Sequence, residues 1–306
     1  MSSMAVPVRI PNGPLYMDID GFRLNSFFTS EVFNKAVNYK PVPDDKFVAS
    51  YPKTGTTWMQ QIVYLIFHKG EPPSTPQEFH TNSPFIDLCG FGDAKEYFKS
   101  RLLKTHLPFN LVPKSSEAKY IYMCRNPKDT CVSYFYHTRR FSCYDFQNGK
   151  FEVFFDVFMN GDTDYGDYFD HVLSWYEHRN DANVLFINYE EMKHDPKTSV
   201  LKIAEFLSEE HYLLLLQNEN ILENVLHSSG IQFMKEEAKE LFENLYEKPL
   251  DESTPPFIRK GIVGDWRGYL NDEMNARMEQ KMFEKLSDTD LIDVWKKYGN
   301  VYDTAS

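Results

Sequence analysis

The sequence predicts an α/β domain with a central parallel sheet flanked by helices. Three observations carry this reading. Short apolar runs at Phe47-Val48-Ala49, Leu102-Leu103, 119–124 and 184–189 have the length and composition of buried strands. Stretches between them show helical spacing, as in Ile62, Val63, Leu65 and Ile66. No internal repeat, low-complexity tract or linker divides the 306 residues, so the chain reads as one domain over 1–306.

The elements follow in order. Residues 1–45 hold several Pro and Gly and read as an irregular lead-in with a short helix at 27–37. Lys46-Phe-Val-Ala-Ser-Tyr-Pro-Lys-Thr-Gly-Thr-Thr-Trp58 is a strand feeding a Gly-containing turn at a helix N-terminus. There the unpaired backbone N–H groups and the helix dipole make an anion site. The hydroxyls of Thr54, Thr56 and Thr57 add donors, and Lys53 adds a mobile cation. Lys53 precedes Gly55, so this is not the G-x-x-x-x-G-K-[ST] signature of nucleoside triphosphatases.

Residues 75–100 combine Pro and Gly with aromatics, as a pocket wall or lid would. Arg101-Leu-Leu-Lys-Thr-His-Leu-Pro108 is a short strand that places Lys104 and His106 near its carboxyl end, the edge where open α/β sheets bind ligands. The strand at 119–124 runs into Arg125-Asn-Pro-Lys-Asp, with Pro127 suited to a first helical position. Residues 137–165 form a second aromatic pocket loop. A strand at 184–189 leads to a helix over 190–207, with His194 and Asp195 read as solvated. Loop 228–256 contains a charged stretch, 235–247, read as an exposed helix. Pro256-Phe-Ile-Arg-Lys-Gly-Ile-Val-Gly-Asp-Trp266 supplies two cations, Arg259 and Lys260, and a glycine, Gly261, that permits close backbone approach.

Composition bounds the partners. A net charge of −12 argues against nucleic acid and anionic membranes, so an anionic ligand must be held by a local basic cluster. The 16% of aromatic residues exceeds what packing usually uses, which points to an aromatic-lined pocket. Cys89, Cys124, Cys131 and Cys143 show no C-x-x-C pairing and read as reduced thiols. No Cys/His cluster has metal-ligand spacing, so no metal is expected. The N-terminus lacks a basic-then-apolar leader, and no apolar run approaches about eighteen residues. The expectation is a soluble, cytoplasmic protein.

Taken together, the four motifs at 46–58, 101–108, 119–134 and 256–266 resemble the cytosolic sulfotransferases, in the family's order and over roughly residues 15–300. The first matches the loop that binds 3′-phosphoadenosine 5′-phosphosulfate (PAPS), with Thr54 where the family usually has Ser. The resemblance implies a P-loop-like sulfotransferase architecture, PAPS as donor, 3′-phosphoadenosine 5′-phosphate (PAP) as product, and a small-molecule acceptor.

It also implies roles. His106 would be the general base, with Lys53 and Lys104 as catalytic cations. Lys53, Thr54, Gly55, Thr56 and Thr57 would hold the 5′-phosphate; Arg125, Ser133, Arg259, Lys260 and Gly261 the 3′-phosphate; Trp58 and Tyr189 the adenine. Ser228 carries over on the adenine side, with either Phe233 or Ile231 as its apolar neighbour. Phe28, Phe85, Phe141 and Phe146 would line the acceptor pocket with His106.

Two further readings stay open: a PAPS-dependent dehydratase on the same fold, and a non-catalytic PAP-binding protein. Many relatives dimerise through K-x-x-x-T-V-x-x-x-E. This chain reads Arg267-Gly-Tyr-Leu-Asn-Asp-Glu-Met-Asn-Ala276 there, so a monomer or a non-standard dimer is expected, with Leu270 or Met274 as an alternative apolar contact.

Overall fold

The computed structural model describes residues 5–89, 101–243, 249 and 251–299. The parts of the loops at 75–100 and 228–256 that fall on 90–100, 244–248 and 250 lie outside the described residues.

Residues 1–45 depart from the irregular lead-in. β1 (Val6–Arg9), β2 (Leu15–Ile19) and β3 (Phe22–Leu24) form an antiparallel sheet, followed by α1 (Ser30–Val37). Gly21, one of the glycines that suggest irregularity, builds its tight turn together with Asp20. Asp20 and Gly21 take positive φ of 55° and 83°, and Gly21 N–H donates to Asp18 Oδ1 at 2.7 Å. Tyr16, Ile19 and Leu24 are fully buried.

β4 (Lys46–Ser50) runs into α2 (Thr56–Phe67), and α3 (Pro76–Asn82) and α4 (Ile86–Cys89) follow. β5 (Leu102–Thr105) and β6 (Lys119–Cys124) come next, then α5 (Pro127–Arg140), α6 (Phe151–Met159) and α7 (Tyr168–Tyr176). β7 (Val184–Asn188) precedes α8 (Tyr189–His194), α9 (Pro196–Leu207), α10 (Glu209–Gln217) and α11 (Glu219–Ser228). The chain continues through α12 (Lys239–Glu243), α13 (Asp272–Leu286) and α14 (Leu291–Gly299). The second sheet is parallel throughout in the order β5-β4-β6-β7.

Successive strand side chains point to opposite faces. In β6, Tyr120, Tyr122 and Cys124 join one apolar core with Phe47, Leu103 and Trp175, while Ile121 and Met123 join another with Val48, Leu185 and Ile62. Both faces are therefore covered, which is why these strands read as unbroken apolar runs.

Two helix readings change. The helix expected over 190–207 is two, because Pro196 has no N–H to continue α8 and opens α9 instead. Asp195, read as solvated, caps α9 by accepting from Thr198 N–H at 3.1 Å. The exposed helix expected at 235–247 is, within the described residues, a π-helical turn (Phe233–Glu237) and α12, with Met234, Leu241 and Phe242 buried.

Candidate active site

All four parallel strands deliver site residues at their carboxyl ends, as an open sheet should. β4 leads to the turn at 51–55. Lys53 sits there in the left-handed region (φ 72°) and Gly55 at φ 112°. A Cβ at Gly55 would lie 2.8 Å from Met123 Sδ and 2.9 Å from the Tyr189 ring, so only glycine closes this turn. No side chain caps α2, which leaves its first N–H groups to an anion. Lys53, Thr56, Thr57 and Trp58 line the cavity above. Thr54 does not: its hydroxyl is bound to the carbonyls of Tyr51 (2.8 Å) and Met123 (2.9 Å), bracing the turn against β6.

At the end of β5, Lys104 and His106 are buried side by side. His106 Nδ1 lies 2.8 Å from the Ser50 carbonyl, which can only accept, so Nδ1 carries the proton and Nε2 keeps its lone pair. Burial, reinforced by the Lys104 charge, pushes the imidazole pKa well below its ordinary value. His106 is a neutral imidazole. Burial likewise brings the Lys104 ammonium down to about 7. Its Nζ stands 3.9 Å from the centre of the Phe85 ring, because Phe85 pairs with Lys104 in a single parallel bridge beside β5.

Asp87, which sequence reasoning missed, holds this corner. It is fully buried and accepts from His106 N–H and from the Thr105 hydroxyl, both at 2.7 Å. A second support comes from α7, where His171 Nε2 lies 2.9 Å from the His106 carbonyl.

Arg125 directly follows β6, with its guanidinium donating to the Ile262 carbonyl at 3.0 Å and stacking 4.3 Å above the Tyr189 ring. Ser133, two turns into α5, lines the same wall as Arg259, Lys260 and Gly261. Asp129 fastens the two segments together by accepting from Gly264 N–H (2.7 Å) and Trp266 N–H (3.0 Å). Gly261 is at φ 67°, and a Cβ there would meet Ile231 at 2.5 Å. Arg259 and Lys260 both pair with Asp265, at 2.5 and 2.7 Å.

These residues open on one shared cavity. Phe28, Phe85 and Phe141 line it, as expected. Phe146 does not: it is buried against Phe135 and Phe154 in the core. Ser228 and Phe233 also stay off the wall. The Ser228 carbonyl accepts from Gln61, and Phe233 contacts His227. Their neighbours Ser229 and Ile231 take the wall instead. His137, Tyr144 and Asp164, from the stretch read as a pocket loop, complete the lining together with Asn25, which was not predicted.

The family model described as "Sulfotransferase domain" matches residues 43–290. This chain belongs to the sulfotransferase family. Sulfotransferase 1 family member D1 of Mus musculus is 32% identical over 90% of this chain and 94% of its own. Sulfotransferase 1E1 of Homo sapiens is 34% identical over 79% of this chain and 85% of its own. Mouse sulfotransferase SULT7A1, solved with PAP, superposes with a TM-score of 0.71 at 29% identity, covering 92% of this chain and 98% of its own. Retinol dehydratase, solved with retinol and PAP, gives 0.68 at 25% identity, covering 90% and 91%. The chain is thus a PAPS-dependent sulfotransferase, with PAP as product.

This sulfotransferase's own geometry fits a bisphosphorylated nucleotide. One anion cradle is the uncapped α2 with Gly55; the other is the cluster of Arg125, Arg259 and Lys260. Among the described residues no helix is long and apolar enough to cross a membrane.

Proposed function

We propose that this enzyme sulfates the hydroxyl or amine of a small lipophilic acceptor, of the phenol, catecholamine, alcohol or sterol class. The observation that carries this is His106, a neutral imidazole with its Nδ1 proton committed to Ser50, set into a cavity walled by Phe28, Phe85, Phe141 and Tyr165. PAPS, when bound, supplies an activated sulfuryl group on a phosphate leaving group.

In this reading Lys53, Gly55, Thr56 and Thr57 hold the 5′-phosphate, and Trp58 and Tyr189 contact the adenine. Arg125, Ser133, Arg259, Lys260 and Gly261 hold the 3′-phosphate. Lys104 offers positive charge to the sulfuryl oxygens, and Lys53 to the phosphate oxygen on which charge accumulates. His106 Nε2 takes the acceptor's proton as the new bond to sulfur forms. The aromatic wall positions the acceptor and excludes water. The enzyme acts in the cytoplasm.

The test is turnover of PAPS against phenols, catecholamines, alcohols and sterols, with product masses recorded. A stable sulfate ester or sulfamate supports the proposal. An eliminated alkene would make the enzyme a dehydratase, and tight PAP binding without turnover of any acceptor would make it a binding protein.

A further inference from the structure

The proposed acceptor is narrowed by the inner end of the cavity, where three residues from separate segments close on one another. Asn25 follows β3, Tyr144 lies in the turn after α5, and Asp164 precedes α7. Asn25 Nδ2 donates to the Tyr144 oxygen at 3.0 Å and to Asp164 Oδ2 at 2.9 Å. The Tyr144 hydroxyl donates to the same Asp164 Oδ2 at 2.6 Å. All three are buried, Asp164 to 1% exposure, and all three line the cavity.

Both donors are therefore spent on one carboxylate oxygen. The other, Asp164 Oδ1, is buried with no hydrogen-bond partner among the described residues. Such an oxygen is a poor neighbour for a hydrocarbon and a good one for an O–H or N–H group. Arg23, a nearby cation, is hydrogen-bonded to Asp162 instead. The recess shares its compartment with the reacting group. Tyr165, the next residue, sets its ring 5.4 Å from that of His106 and 6.1 Å from that of Phe28.

We propose that Asp164 is a specificity-determining residue. Its Oδ1 accepts a hydrogen bond from an alcohol or amine that the acceptor carries at the end remote from its reacting hydroxyl. The inference rests on the sulfuryl-transfer reading for what the cavity holds. It adds that the acceptor is bifunctional, with a second donor group, and not a plain hydrocarbon phenol.

The test is binding, by calorimetry at about pH 8.5 so that the Asp164 carboxyl is ionised, of four para-substituted phenols to the PAP-loaded protein. Two carry a terminal donor, 2-(4-hydroxyphenyl)ethanol and tyramine. 4-Propylphenol ends in methyl, and 4-(2-methoxyethyl)phenol has an oxygen that only accepts. The wild type should bind at least one donor-bearing phenol about 10-fold or more tightly than the other two, since a site built for a donor rejects analogues lacking it. Preference for the alcohol or for the amine identifies which donor the site takes.

Asp164→Asn keeps one oxygen for Asn25 and Tyr144 and replaces the unpartnered acceptor Oδ1 with a donor NH₂. It should erase the preference and favour the methoxy compound, with PAP affinity unchanged. Equal wild-type affinity for 4-propylphenol and the donor-bearing phenols overturns the inference even if the variant fails to fold. So does a preference that survives in a folded Asp164→Asn. Neither result touches the reaction, which is judged by sulfated product. Intact discrimination without turnover would overturn the reaction and leave the recess.

Discussion

His106 donates its Nδ1 proton to the carbonyl of Ser50, 2.8 Å away, and Ser50 is the last residue of the strand that feeds the anion-binding turn. The imidazole proposed as base is thereby tied directly to the strand that leads into the turn proposed to hold the 5′-phosphate. The same bond selects the tautomer, leaving Nε2 as the proton acceptor.

His106→Ala should lower turnover by roughly 10²–10⁴-fold, the range expected for a general base. PAP binding should stay within a few fold, because the imidazole is not part of the anion cradle. A phenol of strongly lowered pKa should recover part of the rate, since it needs less help in losing its proton. Steady-state rates on an alkyl phenol and a nitrophenol check this, and near wild-type turnover of an alcohol would remove His106 from the base role.

Arg125→Ala and Arg259→Ala should each weaken PAPS binding by about 1.5–3 kcal/mol, the scale of a hydrogen bond to a charged group. The apparent constant for the acceptor should change far less. Adenosine 5′-phosphosulfate lacks the 3′-phosphate and should bind mutant and wild type almost equally. Titration of both nucleotides decides, and equal weakening of the two would displace the assignment.

Binding of PAP should depend on pH through Lys104. Burial brings its ammonium to about 7 in the unliganded protein. A nearby anion favours the protonated form and raises that pKa, so binding takes up a proton between the two values. Affinity should be full below about pH 7 and decline above it. Calorimetry in buffers of different ionisation enthalpy measures the uptake, and Lys104→Met should abolish most of it.

Asp164 should also leave a mark on stability. Burial raises its carboxyl to about 7, above the roughly 3.9 of an unfolded chain. The folded state then binds more protons, so this group's contribution falls as pH rises from about 4 to about 7. Thermal melts over that range should show a shallower decline in Asp164→Asn than in the wild type.

The protein should be a monomer, or a dimer through a surface other than the family's short C-terminal motif. Asn271 caps α13 by accepting from Met274 N–H at 2.9 Å, and Asp272 is exposed in its first turn. Pressing Asp272 against a symmetry mate would bring like charges together. Leu270 and Met274, the alternative contacts, are buried in this chain's own core. Light scattering over a dilution series measures the state. A dimer abolished by bulky charged residues at 271 and 272 would contradict the prediction.

The sequence by itself determined the parallel sheet, the strand–turn–helix at 46–67 and the placement of Lys53, Lys104, His106 and Arg125 just at or beyond strand ends. Each is a local pattern: a strand, a turn and a helix written within a dozen or so residues carry their own geometry. What it left open needed contacts between distant segments. Thr54 reads as a phosphate ligand because a hydroxyl in such a turn usually is one, yet the approach of β6 offers it the Met123 carbonyl instead. Ser228 and Phe233 gave way to Ser229 and Ile231 because the end of α11 and the turn after it decide which side chains face the cavity. Asp87 and Asp164 are single acidic letters in the sequence. Only the tertiary structure placed one beneath His106 and the other on the cavity wall, because folding strips each of water and leaves its neighbours to decide what it binds.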